Sequence, residues 1–493
     1  MEWWNDGINT GEKSFHYPNI PVFRAIKYSA IAFILFSASA CKMFKEPLRT
    51  ENRKVPASYI NSADTTNTAK VVWRKYFTDT NLITLIDTAL KNNQELNVTM
   101  QEINIARNEV KARKGEYLPF GGLQLGAGAD RSGKYTWNGQ SEEDWKATGE
   151  KPKYVGDFGV SAVFSWELDI WGKLRNAKRA AAARYLGSIE GKNFMVTNLV
   201  GEIANAYYEL LALDNQLDII QQNIQIQQNA LNITEQLKNN GKESQLAVNR
   251  FSAQLLNTQN RQYEIKQQIT ETENKINFLT GHFPQTVIRN KASFNTMVFD
   301  SIHEGIPVQL LENRPDIRQA EQEMAASKLD IKAAKAAFFP NIKLSASVGF
   351  QAFNPAVWFN PTSLLYSVFG DIIAPLINRN AIVAAYKTSR ARQIQSVYNF
   401  EKAVLNADIE VVNQLSGIDN YRKSYNTKAS EVDILTQSIT VSENLFRSAR
   451  ADYMEVLLTQ REALETRMEL IEIKKKQLNA EINIYKALGG GWR

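Results

Sequence analysis

The sequence predicts a mixed α and β chain dominated by very long helices and built by tandem duplication. Its two β-hairpins are of membrane-spanning length and need further copies of the chain to close into a barrel. Three observations carry this. The helical runs ENKINFLTG and EINIYKALG end at Gly281 and Gly489, an offset of 208 residues. The stretch DFGVSAVFSWELDIWGK alternates with period 2, setting Phe158, Val160, Ala162, Phe164, Trp166 and Leu168 against Asp157, Gly159, Ser161, Val163, Ser165, Glu167 and Asp169. No proline lies between Pro152 and Pro284 or after Pro375, which leaves two blocks of roughly a hundred residues without an obligate helix breaker.

The bulk properties narrow the class. The 493 residues are 44% hydrophobic and 22% charged, with a net charge of +6 from 58 basic and 52 acidic residues. The mean hydropathy is −0.35, unlike that of a polytopic helical membrane protein. Charges of both signs are interspersed, so nucleic acid is not expected as a partner, and the Lys474-Lys475-Lys476 run reads as a solvated helix face. A single cysteine excludes an intrachain disulfide and a cysteine-based metal cluster. That cysteine, Cys41, closes RAIKYSAIAFILFSASAC, in which basic Arg24 and Lys27 precede a short apolar run and small residues. The segment is too short to span a bilayer and resembles a bacterial lipobox, although Ala38 stands where leucine is usual. Residues 1–40 are therefore expected to be a lipoprotein-type signal peptide, and Cys41 the lipidated residue.

The elements follow in the same order in each copy. A helix over about 81–115 has its counterpart over about 315–337, which starts at Arg314-Pro315-Asp316 with proline in the first turn. RNEVKARKGEYLPFGGLQLGAG (107–128) then matches KLDIKAAKAAFFPNIKLSASVG (328–349) at an offset of 221, so the first copy has a loop 13 residues longer. Hairpins are predicted over about 118–169 and 340–374; in the second, Ile342, Leu344, Ala346, Val348 and Phe350 alternate with polar or small residues. Long helices follow, over 173–280 and 381–488. Leu210, Leu213, Leu217, Ile220, Ile224 and Leu231 in the first, and Val411, Leu415, Ile418, Tyr425, Val432, Ile439 and Phe446 in the second, have heptad character. Turns are expected at Asn239-Asn240-Gly241 and near 449–452. A helix from about 173 to 238 would be roughly 100 Å long. The repeats are thus 41–280 and 314–489, joined by a linker over 281–313 and followed by a tail over 490–493.

Four strands with one apolar face cannot close a barrel, for which about eight are needed. Their length matches a tilted membrane-spanning strand, and in a bilayer every edge must be satisfied. Three chains would supply twelve strands. The apolar face, with Phe158, Val160, Phe164, Leu344 and Val348, is expected to meet lipid, and Tyr135, Trp137, Trp166, Trp171, Trp358 and Tyr366 lie where interfacial aromatics belong.

WRKYFTDTNLITLIDTALKNNQEL (73–96), SWELDIWGKLRNAKRAAAARY (165–185), ENRPDIRQAEQEMAASKLDIKAAKAAFFPNIKLS (312–345) and INIYKALGGGW (482–492) together resemble the outer-membrane efflux factor family. These are TolC-like trimeric channels, and the resemblance is to their lipoprotein subgroup. It implies a homotrimer whose twelve-stranded transmembrane barrel continues into a periplasmic α-helical coiled-coil tunnel, lipid-anchored in the outer membrane. It further implies a passive exit duct for small molecules, without catalysis, cofactor or metal, docking with a periplasmic adaptor and an inner-membrane pump. Docking would use the helix turns at Asn240, Gly241, Lys242, Arg450 and Asp452.

The family closes the tunnel's periplasmic end with side chains from a stretch close to Y-L-D-V-L-D-A-Q-R, matched here by YMEVLLTQR (453–461). The resemblance puts Met454 at the apolar constriction, Glu455 at the first acidic place, Leu458 where a second aspartate is common, and Arg461 at the arginine that pairs with it. A more hydrophobic gate is expected, with Arg461 pairing instead with Glu455 or Glu462. Three rival classes compete with this reading. A hydrolase would have to use His16, His282 and His303 without a nucleophile or metal motif. A periplasmic adaptor lipoprotein would not carry two membrane-length hairpins. The duct of a type I protein secretion system shares the architecture.

Overall fold

The computed structural model describes residues 47–59, 66–131, 133, 155–292, 294, 297, 303–448 and 450–493. The chain divides into two units, 1–49 and 50–493. Only residues 47–49 of the first are described, and they lie in no helix or strand. Cys41, Tyr135, Trp137 and most of the loop between the first two strands lie outside the described residues.

The second unit contains seven helices longer than one turn and four strands among its described residues. In chain order they are α1 (Thr80–Asn92), α2 (Gln94–Tyr117), β1 (Phe120–Asp130), β2 (Val155–Leu168), α3 (Lys173–Asn239), α4 (Gln245–Leu279), α5 (Pro315–Ala336), β3 (Asn341–Ala352), β4 (Leu364–Ile373), α6 (Asn380–Arg447) and α7 (Tyr453–Ala487). The first predicted helix is two. Asn93 sits in extended backbone, where its Oδ1 accepts from the Leu96 amide at 2.8 Å and caps α2. Its Nδ2 donates to the Leu279 carbonyl at 2.9 Å, so a long-range contact holds the break.

α3 and α6, of 67 and 68 residues, run about 100 Å each. Around α3 and α6 the shorter helices form a layer four helices wide. Towards the sheet the order is α2, α3, α5, α6; towards the far tips it is α4, α3, α7, α6. The predicted heptad residues Leu210, Leu213, Ile220, Leu231, Val411, Ile439 and Phe446 are buried in these contacts. Halfway along, the N-terminal and inter-repeat segments pack a core on the long helices. Trp73, Phe77, Ile86, Tyr207, Tyr208 and Tyr485 form one cluster; Tyr59, Leu310, Phe400, Val404 and Leu488 form another. Burial pushes the Tyr485 hydroxyl up to about 12, so it stays a neutral donor, to the Val71 carbonyl at 2.6 Å. Arg314, 5% exposed, is held by Asp316, Glu410 and the Ala487 carbonyl.

The duplication is visible in two chain reversals. Gly281 (φ 72°) and Gly489 (φ 94°) end α4 and α7 in left-handed backbone, Gly281 against the end of α1 at Asn92 and Gly489 against the end of the one-turn helix Leu310–Asn313. A Cβ on Gly489 would lie 2.7 Å from the Asn313 carbonyl carbon and oxygen. Gly489→Ala therefore adds that clash to the left-handed cost of about 1–2 kcal/mol, and the purified protein should unfold at a clearly lower temperature on heating. Gly241→Ala is the control: its φ is 69° but nothing lies within 4 Å, so only a small shift is expected.

Candidate functional site

The four strands form one antiparallel sheet in the order β1-β2-β3-β4. Its register settles which residues share a face. Leu123 pairs with Ala162, Ala162 with Val348, and Val348 with Tyr366; two residues along, Leu125, Val160, Phe350 and Leu364 line up in the same way. Phe158, Phe164, Trp166, Leu344, Ala346, Val368 and Ile372 lie on that same face, which carries no charged side chain. The opposite face carries Gln124, Asp157, Ser161, Ser165, Glu167, Lys343, Ser345, Ser347, Gln351, Ser367 and Asp371, with Val163, Leu365 and Phe369, and Phe120 and Ile373 at the helix end, as apolar exceptions. Ser347 and Ser367 hydroxyls bond across it at 2.7 Å, and Gln351 Nε2 donates to Asp157 Oδ1 at 2.8 Å.

No long helix of the described chain lies across the apolar face. Leu123 is 81% exposed, Tyr366 79% and Val368 77%, a contiguous apolar surface too large for a chain that ends there in water. The outer edges of β1 and β4 have no strand partner among the described residues.

Aromatic residues mark the two ends. At the helix end, Trp166 Nε1 donates to the Tyr117 carbonyl at 3.2 Å, while Trp171 stacks on Phe339 and donates to the Pro340 carbonyl at 2.8 Å. At the loop end, Trp358 stacks on Phe359 and touches Phe158. Phe158 and Trp166 are eight residues apart on β2, about 26 Å at about 3.3 Å per residue, close to the height of the apolar band of a membrane barrel.

At the far end of the helices, α3 turns into α4 through Asn240 and Gly241, with Lys242 N donating to the Leu237 carbonyl at 2.9 Å and Ser244 Oγ accepting from the Ala247 amide. The α6–α7 turn repeats this, Arg450 N donating to the Leu445 carbonyl at 2.9 Å. Asn240, Gly241, Lys242, Arg450 and Asp452 are all exposed.

Beside the turns, Met454, Leu458 and Arg461 fall on one stripe of α7 at spacings of four and three. They line a groove with Arg250, Gln254, Asn257 and Arg261 of α4, and with Glu465. Glu455 is exposed but not in the groove, because it lies a quarter-turn away from Met454. The expected pairing of Arg461 with Glu455 or Glu462 is absent: separations of six and one residue place them on different sides of the helix, and Arg461 forms no ion pair among the described residues. Arg250 Nη1 lies 3.3 Å from Met454 Sδ. The sequence reading missed Arg250 and Arg261; their only signal was a polar stripe at 250, 254, 257 and 261, which also describes an ordinary solvated face.

The expectation of a solvated 474–476 run holds only for Lys476. Lys474 is buried, donates to the Met297 carbonyl at 2.8 Å, and has its ammonium pKa lowered by that burial. Lys475 is ion-paired to Glu209 and Glu472. Burial likewise raises the Glu481 carboxyl. Lys474 and Lys475 thus tie α7 to its neighbours.

A family model described as outer membrane efflux protein matches residues 85–282 and 306–490, one segment per repeat. The chain belongs to the outer membrane efflux protein family. Among its relatives are the solvent efflux pump outer membrane protein SrpC of Pseudomonas putida, 26% identical over 85% of this chain and 87% of SrpC, and the cation efflux system protein CusC of Escherichia coli K12, 27% identical over 88% of this chain and 91% of CusC. The probable outer membrane lipoprotein SilC of Salmonella typhimurium is 26% identical over 85% of this chain and 88% of SilC. None of these three names describes a secretion duct or a periplasmic adaptor. The solved structures of CusC (TM-score 0.77, 23% identity, 90% of this chain and 99% of that one) and of the outer-membrane channel OprN (0.80, 22%, 90% and 99%) share the fold. In the outer membrane efflux protein family this fold is a trimeric channel: four strands from each of three chains complete a twelve-stranded barrel that continues into a helical tunnel. The protein is thus an outer-membrane efflux channel.

Proposed function

We propose that the chain is the passive exit duct of a tripartite efflux system for small molecules, receiving cargo from an inner-membrane pump through a periplasmic adaptor. One observation supports this most: an apolar and a polar sheet face kept in unbroken register over four strands, directly continuous with helices of about 100 Å. The apolar face meets lipid; the polar face lines water. In the trimer, β4 of one chain pairs with β1 of the next. Exposed apolar residues on α6, among them Tyr398, Leu405, Ile409, Ile434, Val441 and Leu445, share one stripe of that edge helix. They seat against α2 and α4 of the neighbour, which form the opposite edge and expose Val98, Ile105, Leu256 and Tyr263.

Lipid on Cys41 anchors the chain to the membrane, and the exposed turns at Lys242 and Arg450 meet the adaptor. Met454 and Leu458 from three chains close the tunnel tip by apolar contact, flanked by Arg250, Arg261 and Arg461 against a single carboxylate, Glu465. The reading can be tested with a photo-crosslinking residue at position 242 or 450 in living cells. An adduct containing a periplasmic adaptor is expected from both sites and not from Lys266, halfway along α4. Adaptor adducts of equal yield from all three sites would contradict docking at the turns.

A further inference from the structure

The net charge of the chain is gathered at one level of the fold. All four strand–helix junctions lie at the same end of the sheet, because β1 and β3 begin there and β2 and β4 end there. Residues 107–117, 167–179, 328–343 and 371–392 surround these junctions. They hold 16 Lys and Arg against 6 Asp and Glu, a net of +10, whereas the whole chain carries +6. The rest of the protein is therefore net negative.

Most of the local carboxylates are already used. Glu109 and Glu116 pair with Arg113, Glu167 with Lys173, Asp169 with Arg175, and Asp330 with Arg184. Lys111, Lys114, Lys178, Arg179, Lys387 and Arg392 form no ion pair among the described residues, and all but Lys178, which is half-buried, are exposed. Like charges crowded this way repel one another unless an external anion compensates them. The strand positions facing the channel at this level are Glu167, Lys343 and Asp371, acidic on balance, so the surplus belongs to the helix ends. Directly above it the apolar sheet face ends in Trp166, Trp171 and Phe339, residue types that sit at the headgroup level.

We propose that these helix ends form a basic collar that binds the phosphate groups of anionic phospholipids in the leaflet facing the tunnel. Long basic side chains can lay their stems along the protein and reach the headgroups, and juxtamembrane polybasic segments are attracted to anionic lipid surfaces. The collar fixes the height of the barrel in the bilayer from below, as the aromatics do from within. It rests on the reading of the apolar sheet face as lipid-facing.

The experiment is native mass spectrometry of the purified full-length trimer with equimolar phosphatidylglycerol and phosphatidylcholine. Phosphatidylglycerol adducts are expected to dominate about tenfold in the wild type. They should fall to near parity in the variant combining Lys178→Gln, Arg179→Gln, Lys387→Gln and Arg392→Gln, while Lys178→Arg with Lys387→Arg keeps the wild-type ratio. An undiminished preference in the Gln variant would overturn the collar. So would a change in its anion-to-cation permeability ratio with lipid preference intact, since the charges would then face the channel. Should that variant not assemble, the wild-type preference must still drop severalfold as ammonium acetate rises from about 0.05 to 0.5 M; a salt-independent preference contradicts the proposal. A failure of the barrel reading would appear instead as thiol labelling that ignores the two sheet faces.

Discussion

Leu458→Ser is expected to raise single-channel conductance about twofold or more in planar bilayers, because a threefold apolar constriction that closes by dewetting is rehydrated when its ring becomes polar. Leu458 is 41% exposed within one chain and lines the tip groove with Met454 and Arg461. Its burial in that groove is too slight for its loss to cost much in folding, so trimer assembly should survive. Family members with an aspartate here would close through carboxylates and be sensitive to cations. In this chain the flanking charges are Arg250, Arg261 and Arg461 against Glu465 alone, so cations should not tighten the closed state. Unchanged conductance in Leu458→Ser would remove this residue from the gate.

The largest effect on assembly is expected from Val348→Arg. Val348 pairs with Ala162 and Tyr366 on the apolar face, midway between the aromatic clusters, and is 46% exposed in the isolated chain. An arginine at the midplane of a lipid-facing strand costs about 2–4 kcal/mol, and a trimer places three in the bilayer. Heat-modifiable trimer in outer-membrane fractions should fall severalfold or vanish. Ser345→Arg, three residues away on the polar face, faces water and should assemble at close to wild-type levels. Equal loss in both variants would mean that the two faces are not distinguished by solvent.

Much of this architecture was legible because it rests on periodicity. The period-2 alternation at 157–169 and 342–350 placed the strands and their faces. Gly281 and Gly489 exposed the duplication because each marks a reversal that only left-handed backbone can make. The heptad residues Leu210 and Val411 appear in the core as expected. Long-range contacts were not legible. Asn93 breaks a helix that local sequence would continue, since its partner Leu279 is 186 residues away. Lys474 looks like part of a solvated run until Met297, 177 residues distant, supplies a carbonyl. At the tip, Met454, Leu458 and Arg461 of the motif line one groove. Glu455 lies beside that groove rather than in it, and the motif could not reveal Arg250 and Arg261 on the facing helix.

The two faces of the sheet are expected to meet different solvents, lipid on one side and channel water on the other, and cysteine accessibility distinguishes them. Ser161→Cys and Phe164→Cys lie three residues apart on β2, on opposite faces by register. In intact outer-membrane vesicles, where a lipidated Cys41 offers no free thiol, Ser161→Cys should react with a membrane-impermeant, water-borne thiol reagent at a rate at least about tenfold above Phe164→Cys. Equal labelling of the two sites, or the reverse order, would contradict the account.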